Sequence, residues 1–324
     1  MATNLDRAMR EELVERRRRL EQASAADAGP EIEELLHSVD AALLRIEDGS
    51  YGLCAVCHDP IETDRLVANP LETLCLGDLT ASQQRALEQD LSMAAQIQRA
   101  LLPPEDFAGH GWSAFYHYRP AGPVSGDYCD LLESPSGLFF ALGDISGKGV
   151  AASMLMAHLN AVLRTLVQLD LPIETLVERA NRVFCESSLP SHYATLICGM
   201  ASADGCVTLC NAGHPPPLVV RRGGVECVSA TGMPIGLFCG QLFSVRRYEL
   251  APGDLLVLYT DGISEATDAA GDEYGRDRLS ATAASGWGSE PKGMIASCLE
   301  DWTAFRHGAS PSDDVTLMTL RRSG

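Results

Sequence analysis

Between residues 112 and 321 short apolar runs alternate with glycine-marked turns, and this pattern constrains the fold more than any other feature of the chain. Strands are expected over residues 113–118, 137–144, 194–201, 206–211, 217–221, 255–259 and 314–320. Helical runs are expected over residues 150–169, 173–188 and 292–306. Many short strands with the helices gathered in two blocks imply an α+β sandwich. The composition allows it: 46% of residues are hydrophobic and 29 are glycine, enough for a core and for tight turns.

The first hundred residues follow a different rule. Leu5, Met9, Leu13 and Leu20, then Ile32, Leu35, Leu36, Val39, Leu43 and Ile46, recur at helical spacing among charges. A small polar connection over residues 23–30 makes these two runs an antiparallel helical hairpin, and Gly49 closes the second helix. A turn-rich unit with Cys54, Cys57, Cys75 and Asp78 follows. Residues 80–102 form one more amphipathic helix, carrying Leu87, Leu91, Ile97 and Leu101, which Pro103-Pro104 stops. Three blocks are therefore expected: residues 1–80, a linker helix at 81–104, and residues 105–324.

A formal net charge of −19 opposes general binding to nucleic acid and to anionic membranes. Arg16 to Arg19 lie among Glu11, Glu12 and Glu15 and read as a solvated helix face. The N-terminus is too charged for a signal peptide, and the longest apolar stretch, residues 150–169, is broken by His158, Asn160 and Arg164 and reads as a buried helix. A cytosolic location is expected. The 11 cysteines are then free thiols, three clustered and the rest filling the core.

Four acidic segments share one design: Ser125-Gly126-Asp127-Tyr128, Leu142-Gly143-Asp144-Ile145, Tyr259-Thr260-Asp261-Gly262 and Ser312-Asp313-Asp314-Val315. Each places an aspartate at the end of a strand-like run, and all but the last have a glycine beside it, where backbone can bend and a ligand can approach. An Asp-Gly alone is most often a turn. Several carboxylates converging on one spot repel unless a cation lies between them, and oxygen ligands suit Mg2+ or Mn2+. Two such ions about 3.5–4 Å apart activate a water and clamp a phosphoryl group. The region has no matching His/Cys set, no Cys-x5-Arg loop and no Gly-x4-Gly-Lys loop.

Gly126-Asp127-Tyr128, Gly143-Asp144-Ile-Ser-Gly-Lys-Gly149, Asn211-Ala-Gly-His-Pro-Pro216, Gly232-Met-Pro-Ile-Gly236, Tyr259-Thr-Asp-Gly-Ile-Ser-Glu-Ala266 and Asp313-Asp314-Val-Thr316 occur in that order. Together they resemble the stage II sporulation protein E and stress-response phosphatase branch of the PP2C-like (PPM) phosphatases, over about residues 88–322. The resemblance implies an antiparallel β-sandwich flanked by helices, with two Mn2+ or Mg2+ ions at its mouth. It implies Asp127, Asp144, Asp261 and Asp313 as catalytic metal ligands acting through a metal-bound water, with Asp144 bridging, the Ile145 backbone carbonyl contributing, and Asp314 as an alternative to Asp313. It further implies a phosphoserine or phosphothreonine substrate on an anti-anti-sigma-type regulator, and a linker helix that transmits regulation and pairs with a second chain. Lys148 is either a phosphate contact or a solvated lysine; Ser146 and His214 read as turn residues.

Residues 32–78 resemble the DksA/TraR zinc-finger proteins, through Ala42-Leu-Leu-Arg-Ile-Glu-Asp-Gly-Ser-Tyr-Gly-Leu-Cys-Ala-Val-Cys57, Pro60-Ile61, Arg65-Leu66, Pro70 and Cys75. That family holds one structural Zn2+ with two Cys-x2-Cys pairs. Here the second pair reads Cys75-Leu-Gly-Asp78, so three readings stay open: a zinc held by Cys54, Cys57, Cys75 and Asp78, a metal-free remnant, or a redox sensor. The family also inserts its hairpin into RNA polymerase. Here each arm has roughly 17 residues, about 25 Å, with Asp27 near the tip. The leading expectation is a metal-dependent serine/threonine phosphatase regulated by its N-terminal module. The alternatives are a polymerase-associated regulator with the PPM domain as scaffold, and a hydrolase of small phosphorylated molecules.

Overall fold

The computed structural model describes residues 4–26, 30–79, 81–188, 192–307 and 313–323, so Asp27 lies outside the described residues. Two compact units emerge, Met1–Asp90 and Leu91–Gly324. The helices are α1 (Asn4–Ala26), α2 (Pro30–Asp48), α3 (Thr63–Ala68), α4 (Ala81–Leu101), α5 (Gly149–Val167), α6 (Ile173–Ser187), α7 (Asp261–Ser264), α8 (Arg276–Ser285) and α9 (Pro291–Phe305). The strands are β1 (Asp106–Gly109), β2 (Trp112–Arg119), β3 (Asp127–Ser134), β4 (Gly137–Ile145), β5 (Ala194–Ala201), β6 (Cys206–Ala212), β7 (Leu218–Arg221), β8 (Gly224–Cys227), β9 (Arg246–Glu249), β10 (Leu255–Tyr259) and β11 (Val315–Arg322).

In the first unit α1 and α2 bury Met9 and Leu13 with Val39 and Ala42, and the same cluster takes in Tyr51, Cys54, Ile61, Leu66 and Cys75. The helical hairpin and the cysteine unit therefore share one small core. Gly49, at φ +80°, ends α2 as its place in the sequence requires. Arg18 and Arg19 pair with Glu15 at 2.7 and 2.9 Å on an exposed face, where such pairs contribute little.

The second unit is a sandwich of two antiparallel sheets. One has the order β1-β2-β11-β10-β7-β8, the other β3-β4-β5-β6-β9. Alternation along each strand sends one set of side chains between the sheets: Tyr116, Leu131, Phe140, Leu142, Ile197, Leu209, Leu258 and Met318 meet there. The other set is covered by helices. Tyr128 and Phe139 lie under α5 and α6 with Met156, Leu163, Val177 and Phe184, while Val257 and Tyr259 lie under α8 and α9 with Leu279, Met294 and Trp302. Helix α5 is 19 residues long and apolar enough to cross a bilayer, but its Met156, Leu159 and Leu163 are core residues of this layer.

The expected strands and long helices are present, with ends shifted by a few residues. Strand β3 was not anticipated, since Asp127, Asp130 and Glu133 disguise it. Asp130 is fully buried and survives there because Arg164 of α5 grips it through Nε and Nη2 at 2.8 and 2.9 Å. The short strands β1, β8 and β9 and the helices α3, α7 and α8 were also unanticipated. The cysteines need one correction: Cys129, Cys198, Cys210 and Cys298 fill the core, whereas Cys227 and Cys239 are exposed.

Candidate active site

Asp127 opens β3 and Asp144 lies next to the end of β4, directly opposite in the register of the two strands. Asp261 follows β10, and Asp313-Asp314 precede β11, the neighbour of β10 in the other sheet. Each sheet thus delivers aspartates to the same end of the sandwich. Their mutual repulsion records the convergence: Asp144 is opposed by Asp261, Asp313 and Asp314, and Asp127 by Asp144. Two glycines permit the approach. A Cβ on Gly262 would overlap the Asp314 carbonyl oxygen, and one on Gly126 would come within 3.1 Å of the Ile145 carbonyl oxygen and 3.3 Å of Asp144 Oδ1.

Asp127 is the most deeply set, 1% exposed. Thr260 donates to its Oδ2 at 3.1 Å, Thr316 donates to the same oxygen, and its backbone N–H donates to Ser125 Oγ at 3.0 Å. These neutral partners orient the carboxylate without cancelling its charge. Burial first, and Asp144 second, hold the Asp127 carboxyl well above the usual carboxylate range. Burial and then Asp261 push Asp144 up to about 7, and burial and then Asp313 raise Asp261. An all-oxygen donor set that resists ionising in company fits a hard divalent cation placed among it.

The adjacent Asp313 and Asp314 separate by partner. Asp314 Oδ1 accepts from Ala121 N–H at 2.7 Å and Oδ2 from Gly126 N–H at 3.0 Å, so both oxygens hold the loop that leads into Asp127. Asp313 Oδ2 accepts from Lys148 Nζ at 3.1 Å. The same loop is held from the linker helix. Gln98 of α4, 5% exposed, donates Nε2–H to the Ser125 carbonyl at 2.7 Å and accepts Ser125 N–H on Oε1 at 3.0 Å.

Ser146 and His214 occupy turn positions, as expected. Ser146 exchanges hydrogen bonds with the Tyr193 backbone: its N–H reaches Tyr193 O at 2.8 Å, and its Oγ accepts Tyr193 N–H at 2.9 Å. Asn211 closes the turn at His214 by accepting its N–H at 2.8 Å and donating to its carbonyl at 3.1 Å. Burial depresses the His214 imidazole to about 3, so it stays neutral beside Thr195 Oγ1 at 2.9 Å. Sequence reasoning gave no role to Thr260, Thr316, Ser125 or Gln98. The two threonines flank the aspartates in the motifs already quoted, and that adjacency was the available signal.

In the first unit, the ligand atoms of Cys54, Cys57, Cys75 and Asp78 all lie within 4.8 Å of one another. Cys54 and Cys75 donate S–H to Asp78 Oδ2 at 3.1 and 3.3 Å, and Cys57 Sγ is 3.6 Å from Cys75 Sγ. Asp78 pushes the Cys57 thiol up to about 12, and in turn the thiols hold the Asp78 carboxyl below its ordinary value. One carboxylate oxygen stands where a fourth sulfur would, and the set fits a tetrahedral zinc. His58 is not among the four.

The Stage II sporulation protein E (SpoIIE) family matches residues 134–323. The chain belongs to this family. Its catalytic unit is a SpoIIE-type PP2C phosphatase domain, and PP2C-family phosphatases are metal-dependent. Residues 49–77 match the prokaryotic dksA/traR C4-type zinc finger, a match that stops one residue short of Asp78. Protein IcfG of Synechocystis is 24% identical over 285 residues, 79% of this chain and 44% of its own. Phosphoserine phosphatase RsbU of Bacillus subtilis is 23% identical over 248 residues, 74% of this chain and 72% of its own. The chain thus spans less than half of IcfG. In fold, the SpoIIE-type unit is similar to the SiaA-PP2C domain of Pseudomonas aeruginosa, with a TM-score of 0.65 at 18% identity over 75% of this chain and 98% of that one.

Proposed function

We infer that this protein is a metal-dependent protein serine/threonine phosphatase, acting on a phosphorylated regulator of the anti-anti-sigma type and controlled through its N-terminal module. The observation that carries the reading is the convergence of Asp127, Asp144, Asp261 and Asp313 from two sheets onto one end of the sandwich, with Asp144 pushed up to about 7. Asp127, Asp144, Asp261, Asp313 and the Ile145 carbonyl hold two Mn2+ or Mg2+ ions. Bound there, such ions activate a water and neutralise the charge that develops on a transferring phosphoryl group. The protein's own part is positioning. Thr260 and Thr316 fix Asp127, while Asp314 holds the loop before it, which favours Asp313 over Asp314 as the ligand.

The N-terminal unit holds one structural zinc through Cys54, Cys57, Cys75 and Asp78. Helix α4 runs as one element from Ala81 to Leu101, and its last turn carries Gln98 to the Asp127 loop. On this reading α4 is the element that transmits regulation and the surface for pairing with a second chain. A cytoplasmic setting suits such a regulator. The DksA/TraR-type segment favours a contact with RNA polymerase as an additional role. A pure scaffold is disfavoured because the aspartate set is complete.

The test is hydrolysis of p-nitrophenyl phosphate and of a phosphoserine protein by the full chain, with and without Mn2+. Turnover that needs Mn2+ and vanishes in Asp144→Asn, with the far-UV spectrum unchanged, is expected. Full activity of Asp144→Asn would refute the assignment. Turnover of the small ester but no phosphoprotein would favour a small-molecule hydrolase.

A further inference from the structure

We propose that Lys148 binds the substrate phosphoryl group directly, and that Asp313 holds its ammonium in reserve while the site is empty of substrate. This rests on the phosphatase reading above. Lys148 lies between Gly147, at φ +96°, and Gly149, at φ +76°, immediately before α5. A side chain added at either glycine would meet no atom of the described residues within 4 Å, which places the segment at the rim of the aspartate cluster. The Lys148 ammonium lies 3.1 Å from Asp313 Oδ2, with the two side chains 64% and 43% exposed. It is also the cation that acts on Asp144 and on Asp261.

Charge counting shows why the reaction needs it. Four carboxylates against two divalent cations leave the centre close to neutral. A phosphate monoester then brings a dianion that this balance does not cover. Lys148 supplies a positive charge at the same spot, on a stem long and exposed enough to turn from Asp313 to a phosphoryl oxygen. An exposed ion pair is weak, whereas an ammonium–phosphate hydrogen bond in a partly desolvated site is stronger. The exchange is therefore favourable when substrate arrives.

The test is calorimetric titration of inorganic phosphate into the Mn2+-loaded full chain, with Mn2+ affinity measured separately on the same proteins. Lys148→Ala is expected to weaken phosphate binding about tenfold or more while Mn2+ affinity stays within about twofold, and Lys148→Arg to restore most of the loss. Unchanged phosphate affinity in Lys148→Ala would overturn the assignment. So would a fall in Mn2+ affinity that accounts for the whole loss, which would make Lys148 only a positioning residue for Asp313. A wild-type chain that binds no Mn2+ would overturn the metal centre itself, and this assignment with it. Thermal melts of the three proteins establish that each is folded.

Discussion

Replacing Gln98 by alanine tests whether the linker helix positions the metal site or merely adheres to the domain. The side chain makes two hydrogen bonds to one residue, at 2.7 Å to the Ser125 carbonyl and at 3.0 Å from the Ser125 N–H, and Ser125 is 1% exposed. Truncation leaves a buried donor and a buried acceptor unpaired, at about 1–3 kcal/mol each. A water entering the vacated volume recovers part of this, leaving roughly 2–4 kcal/mol. Part of that cost falls on Asp127, because Ser125 Oγ accepts the Asp127 N–H at 3.0 Å. If half of it does, the Mn2+ concentration for half-maximal activity rises by about five- to thirtyfold. The melting point falls as well, by roughly 4–16 °C at about 2–4 °C per kcal/mol for a unit of this size. The assay is p-nitrophenyl phosphate turnover against Mn2+ concentration at a temperature where the variant is folded. Gln98→Glu is an informative companion: it keeps an acceptor for the Ser125 N–H but sets a carboxylate against the Ser125 carbonyl, so its defect should shrink as pH falls and the carboxyl protonates. A lowered melting point with an unchanged Mn2+ requirement would refute the positioning argument and leave Gln98 as a stability residue.

Two further outcomes follow from the charge arrangement. Asp144 is pushed up to about 7, and Asp127 and Asp261 move the same way, so the folded metal-free protein keeps protons that the unfolded chain releases from about pH 4 upward. Stability of the chelator-treated protein should therefore fall as pH rises from 5 to 7.5, less steeply in Asp144→Asn, and Mn2+ should reverse the fall; parallel melting curves for the two proteins would contradict this. In the N-terminal unit, elemental analysis should find about one zinc per chain, a loss of zinc in Asp78→Ala, and slower release to a chelator in Asp78→Cys, which restores the four-cysteine set. A folded, zinc-free wild-type protein would instead favour the metal-free reading.

The sandwich was legible because its strands are short apolar runs cut by glycine, and the aspartates were legible because they sit where those runs end. What the sequence did not disclose are partners supplied from far along the chain. Strand β3 looked like a polar segment because the residue that neutralises Asp130 is Arg164, thirty-four positions on. Asp313 and Asp314 looked equivalent because the amides that occupy Asp314, those of Ala121 and Gly126, are 193 and 188 positions away. Thr316 lies 189 positions from Asp127, so its place beside Asp313-Asp314 marks it as near the site without saying which carboxylate it supports.

Those distant partners sort the acidic residues by purpose. Asp130 is fully buried and carries a bidentate arginine, so its charge is already answered and it serves the packing of α5 on β3. Asp254, also buried, is answered by Ala251 N–H at 3.0 Å and Trp287 Nε1–H at 3.3 Å. Asp314 is answered by two amides. Asp127 is as buried as any of these, yet its partners are hydroxyls on one oxygen, and its nearest charges are other carboxylates. Asp144 and Asp261 likewise face mainly their own kind, opposed by the exposed Lys148 and, at Asp261, by the Gly262 backbone N–H. A fold that pairs its structural acids so completely, and leaves these three to repel one another at a glycine-lined opening, has built a place that only added positive charge completes. On the proposed function the same reasoning assigns the lysine at the rim to the substrate: divalent ions would match the aspartates' charge, and the phosphoryl group would bring the charge that remains.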